Sequence, residues 1–240
     1  MSPGARPIDI NADVGEGLDD TAFFPLVTSV SIACGGHAGD SATMGATVAM
    51  AMRAGLLLGA HPAYPDRDGF GRRVLDISLV ELRDSLLQQL GDLGAIVERA
   101  GGRLTHVKVH GALYNRAWND LDTASLVVDC ARVATPGAAI FGPPGSALLQ
   151  AAEAASVAGV AEAFLDRAYG SDGTLRSRDV GGAVIGGEDG LQRQLAYLRG
   201  MAFRTVCVHS DNPAGVELLV GLRAALRREG MRVAPYLESR

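Results

Sequence analysis

"SIACGGHAGD" (residues 31–40) joins an apolar run to two glycines, a histidine and an aspartate. An apolar run without alternation is typical of a parallel strand that is buried on both faces. The polar residues follow where this strand would end. Because ligands bind at the carboxyl ends of parallel strands, the stretch predicts a buried strand with a functional side chain at its tip.

The same pattern recurs along the chain. Further short apolar runs predict strands at "IDI" (8–10), "LLLGA" (56–60), "HVKVH" (106–110), "AAIFG" (138–142), "VAEAF" (160–164), "TVCVH" (205–209) and "RVAPY" (232–236). Helix signals lie between these runs. Ser78 and Glu81 form a capping box before a long helix that Gly101 ends, Asp40 or Ser41 begins another, and Asn212 with Pro213 begins a third.

Seven or eight alternations of strand and helix in 240 residues fit one domain over residues 1–240. This order predicts an α/β fold, a single-domain parallel β/α barrel with seven or eight strands. An open doubly wound sheet is the alternative.

Composition narrows the functional class. Hydrophobic residues make up 48% of the chain and charged residues 20%, with a net charge of -5, which indicates a globular protein without a nucleic-acid partner. No apolar stretch reaches the roughly 18 residues of a membrane span, and the first residues lack a signal-peptide core. We therefore expect a cytoplasmic protein without a membrane partner.

The three cysteines, Cys34, Cys130 and Cys207, lie far apart in apolar surroundings and are predicted to be reduced structural thiols. Cys34 is a possible exception, because it precedes His37.

Polar side chains cluster after the predicted strands. Four of the five histidines, His37, His61, His110 and His209, follow directly on apolar runs. The first run adds Asn11, Asp13 and Glu16, and the seventh adds Asp211. Carboxylates and imidazoles that share a cleft shift one another's pKa values, so this rim is a candidate acid/base site.

Lys108 interrupts an apolar strand two residues before His110 and points to the same side. A buried ammonium is costly unless it pairs with an anion, and a functional Lys108 is favoured over a structural ion pair. Two interpretations are open for Asp13, His37 and His61. These residues could form a divalent metal site or a metal-free acid/base site.

Two long connections, residues 61–73 and 166–187, predict loops over the site. Arg72 and Arg167 in these loops could bind a substrate carboxylate, and Tyr114 could line the pocket. No phosphate loop is present, because "GPPGSALL" (142–149) lacks the GK[ST] signature. The sequence therefore shows no ATP site.

Six motifs together resemble the LamB/YcsF family. They are "IDINADVGEG" (8–17), "VTSVSIACGGHAGD" (27–40), "GAHPAYPDRDGFGRR" (59–73), "HVKVHGALYN" (106–115), "DRAYGSDGTL" (166–175) and "VCVHSDNPAGVEL" (206–218). They occur in order over nearly the whole chain. Gly36, Val109 and Ser210 depart from the residues most frequent in the family. The positions that match are Asp13, His37, His61, Lys108, His110, Arg167, His209 and Asp211.

The resemblance implies a barrel akin to those of glycoside hydrolases and deacetylases. It also implies ATP-driven opening of the lactam of 5-oxo-L-proline to L-glutamate, with separate 5-oxoprolinase subunits B and C on which the ATP site would lie. The sequence leaves the oligomeric state open, and a homo-oligomer is among the states it allows.

The resulting hypothesis is a hydrolase of a cyclic amide. Asp13 or His61 would be the base, Lys108 and His110 would stabilise the oxyanion, and Arg167 would hold the carboxylate. The substrate-binding candidates are Asn11, Glu16, His37, Arg72, Tyr114, Asn115, Arg167, His209 and Asp211. Two alternatives remain: a metal-dependent deacetylase or glycosidase, and a non-catalytic subunit that binds a small acid.

Overall fold

The strands form one closed sheet. A computed structural model describes residues 7–237, and the chain runs through strands β1 (Asp9–Val14), β2 (Ser29–Ala33), β3 (Leu57–His61), β4 (Leu104–Val107), β5 (Ala139–Gly142), β6 (Gly159–Phe164) and β7 (Thr205–Cys207). All neighbours pair in parallel and in chain order, and β7 pairs with β1 to close the barrel. The predicted parallel β/α barrel is confirmed.

Helices cover the outside of the barrel. They are α1 (Ser41–Arg53), α2 (Leu79–Arg99), α3 (Gly111–Asn119), α4 (Leu121–Ala134), α5 (Ala147–Ala154), α6 (Gly187–Leu198) and α7 (Gly215–Arg228). No helix within residues 7–237 is both long and apolar enough to cross a membrane.

The predicted eighth strand at 232–236 is wrong. Val233 makes only an isolated parallel bridge to Ile8. Pro235 lacks the N–H group that a ladder needs, and the pairing of β7 with β1 has already closed the sheet. Tyr236 instead packs edge-on against Phe141 and donates a hydrogen bond to the carbonyl of Thr105. The prediction of one domain over 1–240 includes residues 1–6 and 238–240, which lie outside the described part.

Two predicted helix starts are confirmed and one is wrong. Asp40 caps α1, and Ser78 with Glu81 forms the capping box of α2. Helix α7 begins at Gly215 rather than at Asn212. The side-chain oxygen of Asn212 accepts a hydrogen bond from the amide of Ala214, so this residue forms a turn before the helix.

The two faces of the strands differ in chemistry. Outward side chains such as Ile10, Val14 and Ile32 pack with the helices in the main apolar core. Inward side chains are largely polar: Asn11 of β1 donates to Glu162 of β6 and to Thr205 of β7. Strand alternation therefore places apolar residues against the helices and polar ones inside the barrel.

Candidate active site

A cavity of about 510 Å³ opens at the carboxyl ends of the strands. Many of the predicted site residues line it, namely Asp13, His61, Arg72, Lys108, His110, Tyr114, Asn115, Arg167 and His209. The other predicted residues lie behind this lining and contact it; they are Asn11, Glu16, His37 and Asp211. The converging ends of β1, β3, β4 and β7 thus bring together side chains that are distant in the chain.

Lys108 lies at the centre of a buried polar network. Its Nζ lies 3.0 Å from Asp13 Oδ1 and 3.0 Å from Glu162 Oε1. The same ammonium donates to Cys207 Sγ at 2.9 Å. Burial alone would lower the pKa of Lys108, but nearby carboxylates, Asp13 foremost, hold it well above its ordinary value. The ammonium is therefore charged, and its paired carboxylates compensate the cost of burial.

Asp13 is a strongly held anion. Burial would raise its pKa, but His61, Lys108 and His209 lower it well below the usual range. Its Oδ2 lies 3.4 Å from His61 Nε2 and 3.7 Å from His209 Nε2. A carboxylate stabilised in this way is a weak base. It is better suited to orienting its neighbours than to taking a proton.

Glu162 joins the network from β6 and was missed by the sequence analysis. Its Oε1 accepts from Asn11 Nδ2 at 2.9 Å, and its Oε2 accepts from the hydroxyl of Tyr114 at 2.9 Å. The signal was present, since a carboxylate in the apolar run "VAEAF" is as unusual as Lys108 in "HVKVH". Asn11 and Tyr114 consequently act as supports of Glu162.

His61 and His110 meet edge to face at the rim. His61 Nδ1 lies 2.7 Å from the carbonyl of Lys108, and His110 Nε2 lies 3.0 Å from the carbonyl of Phe70. A carbonyl can only accept, so both of these ring nitrogens carry the proton. The other two nitrogens, His61 Nε2 and His110 Nδ1, face each other at 2.9 Å. Burial lowers the pKa of His61 to about 4 and that of His110 well below its ordinary value, so both rings are neutral at pH 7.

Glu16 and His37 flank this pair. The ring of His37 stacks on His110 at 3.8 Å between centroids, and its Nε2 lies 2.8 Å from Glu16 Oε1. Glu16, His37, His61 and His110 form a group that could hold a metal ion, and Asp13 falls in a neighbouring group with Cys207 and His209. The predicted set of Asp13, His37 and His61 is thus divided between two adjacent groups, and Asp13 Oδ2 lies 3.4 Å from His61 Nε2.

A second acid/base pair lies across the cavity. His209 Nδ1 lies 2.9 Å from Asp166 Oδ1, and the amide of His209 donates to Asp166 Oδ2 at 3.1 Å. Burial would raise the pKa of Asp166, but His209 holds it below its ordinary value. The carboxylate fixes the imidazole with Nε2 towards Asp13. Asp166 was also missed, although it follows β6 where the other site residues follow their strands.

Arginines form the far wall of the cavity. The guanidinium of Arg167 is buried and donates through Nη2 to the carbonyl of Arg176 at 2.7 Å, while its Nε has no hydrogen-bond partner in the described part of the chain. Arg72 and Arg178 each donate to Asp211 Oδ2 at 2.7 Å. Asp211 is thus an anchor for arginines rather than a direct lining residue. Arg178 was not predicted, because nothing local distinguishes it from a solvated arginine.

The comparison with known families identifies the family of this chain. The sequence pattern of the LamB/YcsF family matches residues 8–240. The chain belongs to the LamB/YcsF family. Within it, the chain is 40% identical over 248 residues to a Streptomyces avermitilis protein that is named as the A subunit of 5-oxoprolinase, covering 95% of this chain and 99% of that protein. A protein of the same name from Nitrobacter hamburgensis is 41% identical over 249 residues, with 95% and 98% covered.

Solved structures resemble this LamB/YcsF chain at two levels. The lactam utilization protein of Thermus thermophilus superposes with a TM-score of 0.84 at 34% identity, over 95% of this chain and 99% of that one. The catalytic domain of a peptidoglycan N-acetylglucosamine deacetylase from Eubacterium rectale has a TM-score of 0.57 at 12% identity, over 100% and 91%. The second likeness concerns the fold alone.

Proposed function

We propose that this chain is the A component of an ATP-dependent 5-oxoprolinase and that it opens the lactam of 5-oxo-L-proline to L-glutamate in the cytoplasm with partner subunits B and C. The observation that carries the proposal is one cavity that is lined by Lys108, by His209 with its Asp166 support, and by Arg167. The relatives that carry the 5-oxoprolinase name, which align over nearly their full length, support the same activity.

Arg167 fits the carboxylate of the substrate. Its guanidinium is buried against the cavity, and Nε has no hydrogen-bond partner among residues 7–237. A buried donor without a partner costs free energy, which a bound anion would recover. A guanidinium also matches a carboxylate in shape and charge. Arg72 and Arg178, held by Asp211, add positive charge to the same wall.

Lys108 suits the negative charge at the lactam oxygen, which the phosphoryl group carries once that oxygen is activated and water attacks the ring carbon. Its ammonium is the charged donor of the cavity floor, fixed by Asp13 and Glu162. His110 fits the expected oxyanion role less well, because its proton is donated to Phe70 and Nδ1 carries a lone pair. His110 therefore belongs to the site without donating to the substrate oxygen.

Water activation is assigned to His209. Its Nδ1 carries the proton and donates a hydrogen bond to Asp166, so Nε2 has a lone pair that can accept a proton. The imidazole would take a proton from water as the new C–O bond forms, and would return a proton to the ring nitrogen as the C–N bond breaks. Asp13 and His61, the bases expected from the sequence, border the same space. Asp13 is the weaker base because its neighbours stabilise its charge.

ATP is needed because an unstrained amide is a poor electrophile. Phosphorylation of the lactam oxygen, carried out by subunits B and C, would make the ring carbon electrophilic. Water would add to that carbon, the C–N bond would break to give an acyl phosphate, and a second water would release phosphate and glutamate. The chain itself has no phosphate-loop motif. The cavity of this chain would then receive the activated ring and add water.

Reconstitution tests this function. The chain is combined with B and C, and glutamate formed is measured per ATP consumed. His209→Gln should abolish glutamate release, whereas the control Asp122→Asn, on an exposed part of α4, should leave it unchanged. Glutamate release at the normal rate by a folded His209→Gln variant would contradict the proposal. Binding of 5-oxoproline without turnover in the complete complex would indicate a non-catalytic role.

A second candidate is a metal-dependent deacetylase or glycosidase. The group Glu16, His37, His61 and His110, which could hold a metal ion, favours it. The discriminating measurement is acetate or sugar release from N-acetylated glycans by the chain alone. Such turnover without ATP and without partner subunits would replace the 5-oxoprolinase assignment.

A further inference from the structure

Two imidazole lone pairs point at each other in this site. His61 Nδ1 donates a hydrogen bond to the backbone carbonyl of Lys108, and His110 Nε2 donates one to the carbonyl of Phe70. His61 Nε2 and His110 Nδ1 are then both acceptors, 2.9 Å apart. Two acceptors at this distance repel each other unless a cation or a shared proton lies between them. The arrangement therefore leaves a place for a positive centre.

Glu16 completes a triangle with these two nitrogens. Its Oε1 lies 3.4 Å from His110 Nδ1 and 3.7 Å from His61 Nε2. Ligand atoms at the usual zinc distances of roughly 2.0–2.1 Å are about 3.3 Å apart in a tetrahedron. The three separations of 2.9, 3.4 and 3.7 Å scatter around this value. A small divalent ion thus fits over the centre of the triangle.

Each of the three candidate ligands also has a supporting contact. The carbonyls of Lys108 and Phe70 orient the two rings, and His37 Nε2 lies 2.8 Å from Glu16 Oε1. Such outer contacts are the usual support of metal-binding imidazoles and carboxylates. Phe70 adopts φ 54°, a left-handed conformation that is costly for an aromatic residue, and in it the carbonyl accepts from His110.

We propose that His61 Nε2, His110 Nδ1 and Glu16 Oε1 bind one divalent ion of the zinc class, with His37 positioning Glu16. Two imidazoles and one carboxylate suit zinc or a similar transition metal rather than magnesium or calcium, which prefer oxygen ligands. His61 and His110 line the cavity. A bound ion would therefore keep a coordination position for water or a substrate oxygen. This site stands independently of the 5-oxoprolinase assignment.

Metal binding by the full-length chain tests the site directly. Chelator-treated protein is titrated with Zn²⁺ by calorimetry, and its metal content is measured after dialysis. We expect one equivalent in the wild type and loss of stoichiometric binding in His110→Gln and Glu16→Gln. His37→Gln should retain the site with an affinity lower by roughly 10- to 100-fold. Circular dichroism and urea unfolding identify any variant that fails to fold. Glu16→Gln, whose side chain lies outside the barrel network of Lys108, then serves as the main test.

His209→Gln is the matched comparison, because His209 belongs to the neighbouring group with Asp13 and Cys207. It should still bind one equivalent. Co²⁺-loaded wild type should show the strong visible absorption of low-coordinate cobalt, and Glu16→Gln should lose it. A folded wild type that binds no stoichiometric Zn²⁺ would overturn the proposal. Loss of the ion in His209→Gln with retention in His110→Gln would also overturn it, since the ion would then lie at Asp13, Cys207 and His209.

Discussion

Lys108 Nζ and Glu162 Oε1 lie 3.0 Å apart inside the barrel, and both side chains are almost fully buried. Lys108 directly follows β4 and Glu162 lies in β6, so the closed sheet brings them together. The pair, together with Asp13, keeps an ammonium charged at the floor of the cavity. This ion network links the stability of the barrel to the chemistry proposed for it.

Glu162→Gln tests the network. The substitution keeps the shape of the side chain and removes the charge that compensates Lys108. Breaking a buried ion pair from one side costs about 3–5 kcal/mol, and the remaining contact with Asp13 places the expected loss near the lower end of that range. Urea unfolding measures it. Glu153→Gln, at an exposed position of α5, should change the free energy of unfolding by less than about 0.5 kcal/mol. Equal stability of the two variants would contradict the role of Glu162.

Asp166→Asn tests the support of His209. The amide can no longer hold the imidazole with its proton on Nδ1, so the base loses its orientation. With B and C present, kcat should fall by roughly 10²- to 10⁴-fold while KM changes little. A proportional rise of KM with unchanged kcat would instead place Asp166 in substrate binding.

Arg167→Met tests carboxylate recognition. Loss of a charge-assisted hydrogen bond costs about 1.5–3 kcal/mol, which corresponds to a rise of KM by roughly 10- to 100-fold. Arg167→Lys should give an intermediate KM because it retains the charge and loses the planar fork. Arg193→Met, an exposed substitution on α6, serves as the control. An unchanged KM in Arg167→Met would remove the carboxylate assignment.

Gly111→Ala tests how the loop after β3 is held against α3. Gly111 has φ 57°, and a Cβ there would lie 2.5 Å from the carbonyl oxygen of Gly71. The backbone would have to shift and would displace the adjacent His110, so both stability and activity should fall, with at least about 1 kcal/mol lost. Gly91→Ala on α2 is the matched control, because its Cβ would meet no atom of the described residues within 4 Å. That variant should be neutral or more stable by up to about 1 kcal/mol. A Gly111→Ala variant as stable as wild type would contradict the predicted strain.

The three thiols should resist alkylation in the native state. Burial raises the pKa of Cys34 and of Cys207 far above the ordinary value, and raises that of Cys130 to about 11. The reactive thiolate is therefore scarce at mildly alkaline pH. Mass spectrometry after iodoacetamide treatment should show no modification in the folded protein and modification of all three thiols in urea. Rapid modification of native Cys34 would identify it as a reactive thiol.

The sequence alone determined the alternation of strands and helices and the end of the barrel that carries the site. Both follow from local patterns, because burial on both faces requires continuous apolar runs and capping depends on residues three positions apart. Asp13, His61, Lys108 and His110, which were predicted from these patterns, line the cavity. The prediction of an eighth strand was wrong because an apolar run does not reveal that β7 already pairs with β1.

Only the tertiary structure decided which side chains pair. The decisive contacts join different strands and loops: Lys108 with Glu162, His209 with Asp166, and His61 with His110. A sequence specifies that a residue points into the barrel, but its partners depend on strand order and register, which the packing of the whole chain fixes. Proton positions depend in turn on those partners. The chemistry of each ring is therefore a property of the folded molecule.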